Sequence, residues 1–250
     1  MINSLADSVL ATFIVFCRIG ACMMLVPGFS SANIPVQVRL FVAIVTTFAL
    51  APLLAATLRP LLADALPLNL AFLIGSELLI GSVIGLGGRV FFLALQTMAT
   101  AMASAIGLSN IPGMPVGDID PAPALVPLIV VAVTTLFFMT DQHWQVLRGL
   151  MNSYDVWRPG ERLGGEMPLA QLVNRLSEAF VLTLRITSPF IVYSVIINLA
   201  IGLINKLTPT IPVYFISVPF VLVGGFLLLY LISDELLTQF MVGLSSWLTE

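Results

Sequence analysis

The chain has 250 residues, of which 59% are hydrophobic and 9% charged, with a formal net charge of −3 and a mean hydropathy of +1.07. Soluble domains carry roughly 45–50% apolar and about 25% charged residues, so this composition is that of an integral membrane protein. No basic patch interleaves with aromatics, which argues against nucleic-acid binding, and one histidine with two cysteines makes no zinc or iron site.

The N-terminus, MINSLADSVL, has neither a basic leader nor a small-residue cleavage site after a short apolar core. It therefore reads as a retained first span over about Val9 to Val26, long enough for a ~30 Å hydrocarbon layer. Arg18 lies inside that span. Cys17 and Cys22, five apart in it, point to different sides of a helix and are read as packing thiols, not a disulfide. A turn bounded by Pro27 and Pro35 leads to Arg39 and a second span, about Val38 to Leu58, with Pro52 expected to kink its far end. Arg59, Pro60 and Asp64 mark a short interfacial loop ending near Pro67.

From Leu70 to Ile106 there is no proline. One straight helix of that length is ~55 Å, more than a bilayer needs. Gly85, Gly87 and Gly88 offer a break, which predicts two shorter helices or one long bent one. Glu77, Gly81, Gly85 and Arg89 recur every fourth residue as a slowly drifting stripe. Gly81 and Gly85 form a small-xxx-small face for close backbone approach. Glu77 and Arg89 are ~18 Å apart on such a helix, too far to pair, so each needs a partner elsewhere. The stretch from Leu95 to Ile106 is rich in Ala, Ser and Thr, a composition for tight helix contact.

Gly107 to Pro127 holds five prolines and three glycines between two almost wholly apolar stretches. Regular structure is disfavoured there. Irregular backbone at membrane depth needs protein or a water-filled cavity around it, so this stretch is a candidate pore element. A span of about Leu125 to Met139 follows, then a polar stretch of about Thr140 to Glu178 with His143, Trp144, Arg148, Trp157, Arg158, Arg162 and the loop glycines Gly164 and Gly165. An amphipathic helix over Pro168 to Arg185 leads into an apolar segment of about Ala179 to Ile204. Lys206, Pro209 and Pro212 form a tight hairpin before a sixth segment, about Val213 to Ile232, and a terminal amphipathic run from Leu236 to Leu248.

No nucleophile elbow, zinc-binding HExxH, P-loop or dinucleotide fingerprint is present, so the chain does not read as an enzyme. Arg18, Glu77, Arg89 and Arg185 lie in or beside apolar segments, where each costs ~2.5–3.5 kcal/mol or more facing lipid at mid-bilayer. They face protein or water: as inter-helix pairs, as snorkelling groups, along a polar path, or against neighbouring subunits.

Three stretches carry a family resemblance. RIGACMMLVPGFSSANIPVQVRL holds Arg18, Gly20, Pro27, Pro35 and Arg39 in an arginine–proline–proline–arginine layout; ELLIGSVIGLGGRVFF runs from Glu77 to Phe92; INLAIGLINKLTPTIPVYFISVPFVLVGG runs from Ile197 to Gly225 around Asn205, Lys206, Pro209, Pro212 and Pro219. In this order and spacing they resemble the FliR family of flagellar and type III secretion export-gate proteins, over nearly the whole chain. The resemblance implies an all-α membrane fold of about six apolar segments. It further implies a FliP-like portion over 1–178, with a plug loop at about 106–124 and a polar loop at about 140–178. A FliQ-like hairpin and terminal helix over 179–250 would follow, its tip at Asn205 to Pro212 facing the cytoplasm. The implied role is a non-enzymatic subunit of the flagellar export gate in the bacterial inner membrane and basal body, without cofactor. Its implied partners are FliP, FliQ, FlhB and unfolded export substrates. The family's channel plug falls on Ile106, Gly107, Leu108, Ser109, Asn110, Ile111, Pro112, Gly113, Met114 and Pro115. Arg18, Arg39, Glu77, Arg89 and Arg185 are candidate buried charges or subunit contacts. Two other readings of the residues stand beside the gate: a secondary transporter coupling an ion to a small solute through Glu77 or an arginine, and a purely structural scaffold.

Overall fold

A computed structural model describes residues 2–30, 34–62, 66–108, 123–160 and 166–249. They form α1 (Ile2–Leu25), α2 (Val36–Leu62), α3 (Pro67–Ala105), α4 (Leu125–Met139), α5 (Gln142–Val156), α6 (Glu166–Leu207) and α7 (Val213–Thr249). The fold is all-helical among these residues. Among the described residues, five helical stretches are long and apolar enough to cross a bilayer: Asp7–Leu25, Val36–Leu54, Pro67–Ala105, Leu176–Leu207 and Val213–Ser246. The pair α4 and α5 makes a sixth only if taken together as one broken span.

Prolines and glycines set the boundaries. Past α1 the chain turns at Pro27 and Gly28, whose φ of 88° suits glycine. Pro35 precedes α2 and its carbonyl accepts from the Val38 and Arg39 amides. Pro67 opens α3 from the first helical position, where its missing N–H leaves no gap in the ladder. Gly107 closes α3 in the left-handed region at φ 83°, its amide reaching back to the Ser104 carbonyl. Between α6 and α7 the chain reverses in five residues: the Thr208 amide and hydroxyl both return to the Ile204 carbonyl, and Ile211 donates to Thr208.

Three elements differ from the sequence expectation, and a fourth, α3, takes the undivided one of its two expected forms. The loop around Arg59 is shorter, because α2 continues through Pro52, Arg59 and Pro60 to Leu62; Asp64 lies outside the described residues. Gly85, Gly87 and Gly88 do not interrupt α3, which runs 39 residues, ~58 Å. The polar stretch after Met139 holds a helix, α5, with the buried stripe Val146, Leu150, Ser153 and Tyr154. Arg162, Gly164 and Gly165 of that stretch lie outside the described residues. Finally, the amphipathic run after Pro168 merges with the fifth apolar segment into α6, and the terminal run merges with the sixth into α7.

The chain forms two compact units. One comprises Met1–Val90, Asp141–Leu176 and Leu248–Glu250; in it α1 packs along α2. The other comprises Phe91–Thr140 and Ser177–Trp247. There Phe92 of α3 meets Phe240 of α7 edge to face, with centroids 5.9 Å apart, and Leu182 of α6 fills the space beside Gly243 of α7.

Candidate functional site

The first unit closes around a charge. Arg18 is in the middle of α1 and fully buried, as is Glu77 of α3. Two parallel bonds join them, Arg18 Nε to Glu77 Oε2 at 2.6 Å and Nη2 to Oε1 at 2.8 Å. This bidentate geometry is the strong form of the arginine–carboxylate contact. The remaining donors turn to α5. Nη1 donates to the Ser153 hydroxyl at 3.0 Å, which in turn donates to the Leu150 carbonyl at 2.6 Å. Nη2 also donates to the Trp157 carbonyl at 3.0 Å. Trp157 is the residue just past the end of α5, so the cation sits where that helix leaves carbonyls unpaired and its dipole is negative. The Tyr154 ring covers the guanidinium, with Cζ 3.8 Å from the centroid. Its hydroxyl is buried without a hydrogen-bond partner.

Glycine makes the approach possible. A Cβ on Gly81 would fall on the Arg18 carbonyl, and one on Gly85 would lie 2.7 Å from Leu25 Cβ and 2.8 Å from the Cys22 carbonyl oxygen. The stripe Glu77–Gly81–Gly85 is thus the face that α3 lays against α1. Its glycines serve close packing, which is why they leave α3 unbroken. The fourth member of the stripe, Arg89, is exposed.

Arg39, half-buried, donates from Nε to the Ile34 carbonyl at 3.0 Å and so braces the entry to α2. Arg185 is exposed on α6. Asn205, Lys206, Pro209 and Pro212 sit at the exposed reversal between α6 and α7, with Lys206 in the last turn of α6. Of the plug residues, Ile106 and Leu108 are buried and Gly107 is exposed, all at the end of α3. Ser109, Asn110, Ile111, Pro112, Gly113, Met114 and Pro115 lie outside the described residues, as does the rest of that stretch through residue 122.

Sequence reasoning missed Ser153, Tyr154 and Trp157 as partners of Arg18. A signal was available: Val146, Leu150, Ser153 and Tyr154 fall at i, i+4, i+7 and i+8, one face of a helix. Chemically, the cluster neutralises and immobilises a charge and ties three helices together.

The comparisons with known proteins agree along nearly the whole chain. Residues 9–246 match the model of the family described as bacterial export proteins, family 1. The chain is 28% identical over 229 residues to the flagellar biosynthetic protein FliR of Caulobacter vibrioides, covering 90% of this chain and 89% of that one. It is 27% identical over 214 residues to FliR of Escherichia coli strain K12, covering 83% and 78%. With FliR of Bacillus subtilis strain 168 the figures are 24% over 236 residues, 91% and 87%. The chain belongs to the bacterial export proteins, family 1.

Proposed function

We propose that this chain is a membrane subunit of the flagellar type III protein export gate, where it helps form and plug the channel for unfolded substrates. The observation that carries the reading is the family match over residues 9–246, which takes in the charge cluster, the proline-rich stretch and the hairpin together. Its partners in this reading are FliP, FliQ and FlhB, its site is the bacterial inner membrane at the flagellar basal body, and 1–178 and 179–250 act as FliP-like and FliQ-like portions. Ile106 to Pro115 block the lumen until substrate passes.

Surface supports the reading of a subunit. Only 11% of the apolar window of α6 and 6% of that of α7 are buried within the chain, so these helices present apolar faces to lipid or to neighbours. The end of α3 at Gly107 supports the plug. There α3 stops at a left-handed glycine, which allows the direction change that a helix continuing into the proline-rich stretch could not make.

Purification in mild detergent, with identification of what accompanies the tagged chain, tests the assignment. Recovery with several other apolar export subunits is expected; a chain that stays alone yet transports a small solute overturns it. Deletion of Ile106 to Pro115 is expected to raise ion leakage through the assembled complex, and unchanged leakage rules out the plug.

A further inference from the structure

We infer that Gly224 and Gly225 of α7, with Tyr193 of α6, form a seat for Ile106 and Gly107, the residues at which α3 ends, so that a displacement of α7 is carried to the end of α3. The link to gating rests on the reading of Ile106 to Pro115 as the plug; the seat itself rests on geometry.

The relevant part of α7 has little internal rigidity. Pro219 lies inside the helix and removes one backbone hydrogen bond, and two glycines follow within six residues. Two side chains brace it. Tyr193 comes from α6 and donates its hydroxyl to the Val221 carbonyl at 2.8 Å; a Cβ on Gly224 would fall on that same hydroxyl. Ile106, the residue after α3, is fully buried, and a Cβ on Gly225 would fall on its Cβ and Cγ2. The next residue, Gly107 at φ 83°, has Val221 Cγ1 3.7 Å from where its own Cβ would be.

Neither glycine is needed for a turn, since both lie within a continuous helix. Each is required because another side chain occupies the space of its missing Cβ. The Phe92–Phe240 contact fixes the same two helices about four turns further along, so α3 and α7 run against one another down to this point. Ile106 is the last side chain so held before the proline-rich segment. A displacement of α7 at Pro219 to Gly225 therefore shifts Ile106 and Gly107. Tyr193 is a positioning residue for that arrangement.

The test uses the assembled complex with three variants: Tyr193→Phe, Gly225→Val and deletion of Ile106 to Pro115. Ion leakage is read in all three, and amide hydrogen exchange over residues 104–108 in the two substituted chains. Tyr193→Phe, which preserves the ring, is expected to speed exchange there roughly two- to tenfold, the change in local opening that follows loss of one ordinary hydrogen bond. Gly225→Val is expected to exceed it, and both are expected to leak toward the level of the deletion. If the deletion leaks, Tyr193→Phe must both leak and exchange faster; anything less overturns the inference and leaves the plug standing. If the deletion does not leak, the plug reading falls. Exchange then decides the seat alone: acceleration at 104–108 supports it, and an unchanged rate overturns it.

Discussion

The cluster around Arg18 and the hairpin of α6 and α7 handle the same solvent problem in opposite ways. In α1 and α3 half of the apolar window is buried within the chain, and the one deeply placed cation has a carboxylate, a hydroxyl, a carbonyl and a ring around it. In α6 and α7 the windows are 11% and 6% buried, Phe215, Phe220 and Tyr230 stand exposed, and Arg185 is exposed among apolar residues. The first region is complete as one polypeptide. The second has the helix length and the apolar faces but lacks a cover. Without water between helices, burial of apolar groups gives no drive for association; close packing and polar contacts supply it. The two regions therefore differ in what a mutation should disturb: the fold of the chain in one, its company in the other.

Arg18→Met should have the largest effect, because it leaves Glu77 charged and buried. A loss of about 3–5 kcal/mol is expected in thermal or denaturant unfolding of the purified chain, with most of it recovered when Glu77→Leu is added. Failure of the second change to rescue would mean that the pair does not act as a unit. Next comes Gly81→Val, which drives a side chain onto the Arg18 carbonyl and should cost about 1–3 kcal/mol. Gly75→Ala, with nothing within 4 Å, is the matched control and should be neutral or slightly stabilising. Tyr154→Phe removes a hydroxyl that has no partner while keeping the ring over the guanidinium. It should raise stability by up to about 1 kcal/mol, and a clear loss would reveal a hydroxyl partner. The smallest effect on the chain belongs to the hairpin. Gly202→Leu, also without a neighbour within 4 Å, should leave melting of the isolated chain within about 0.5 kcal/mol of the parent and yet reduce recovery of accompanying subunits. Unchanged recovery would make that face a lipid contact.

Much of this division could be read from residue order, and what escaped has a common cause. Leu125 and Met139 bound an apolar run flanked by a proline-rich stretch and polar residues, so the ends of α4 were plain. Pro209 and Pro212 likewise announced the reversal before α7. Gly85 was legible as a close-approach residue from its spacing to Gly81, whereas nothing in residue order says whether Gly85, Gly87 and Gly88 break α3 or leave it continuous. The polar helix α5 was hidden by a hydropathy reading, although the spacing of Val146, Leu150 and Tyr154 marks it. Glu77 was seen to need a partner, but Arg18 is 59 residues away and nothing local says that they meet. The seat at Gly225 was beyond reach for the same reason.

That separation has a consequence for biogenesis. Arg18 leaves the ribosome well before Glu77, and Ser153 follows 135 residues after the arginine. Until α3 is made, the first helix holds a guanidinium with no counter-ion of its own, at ~2.5–3.5 kcal/mol or more if it meets hydrocarbon. Its lasting insertion must therefore wait, with the arginine sheltered at the membrane edge or by the insertion machinery, until translation has delivered the glutamate. A nascent chain halted at residue 66 should be extracted from the membrane by alkaline washing far more readily than one halted after residue 108.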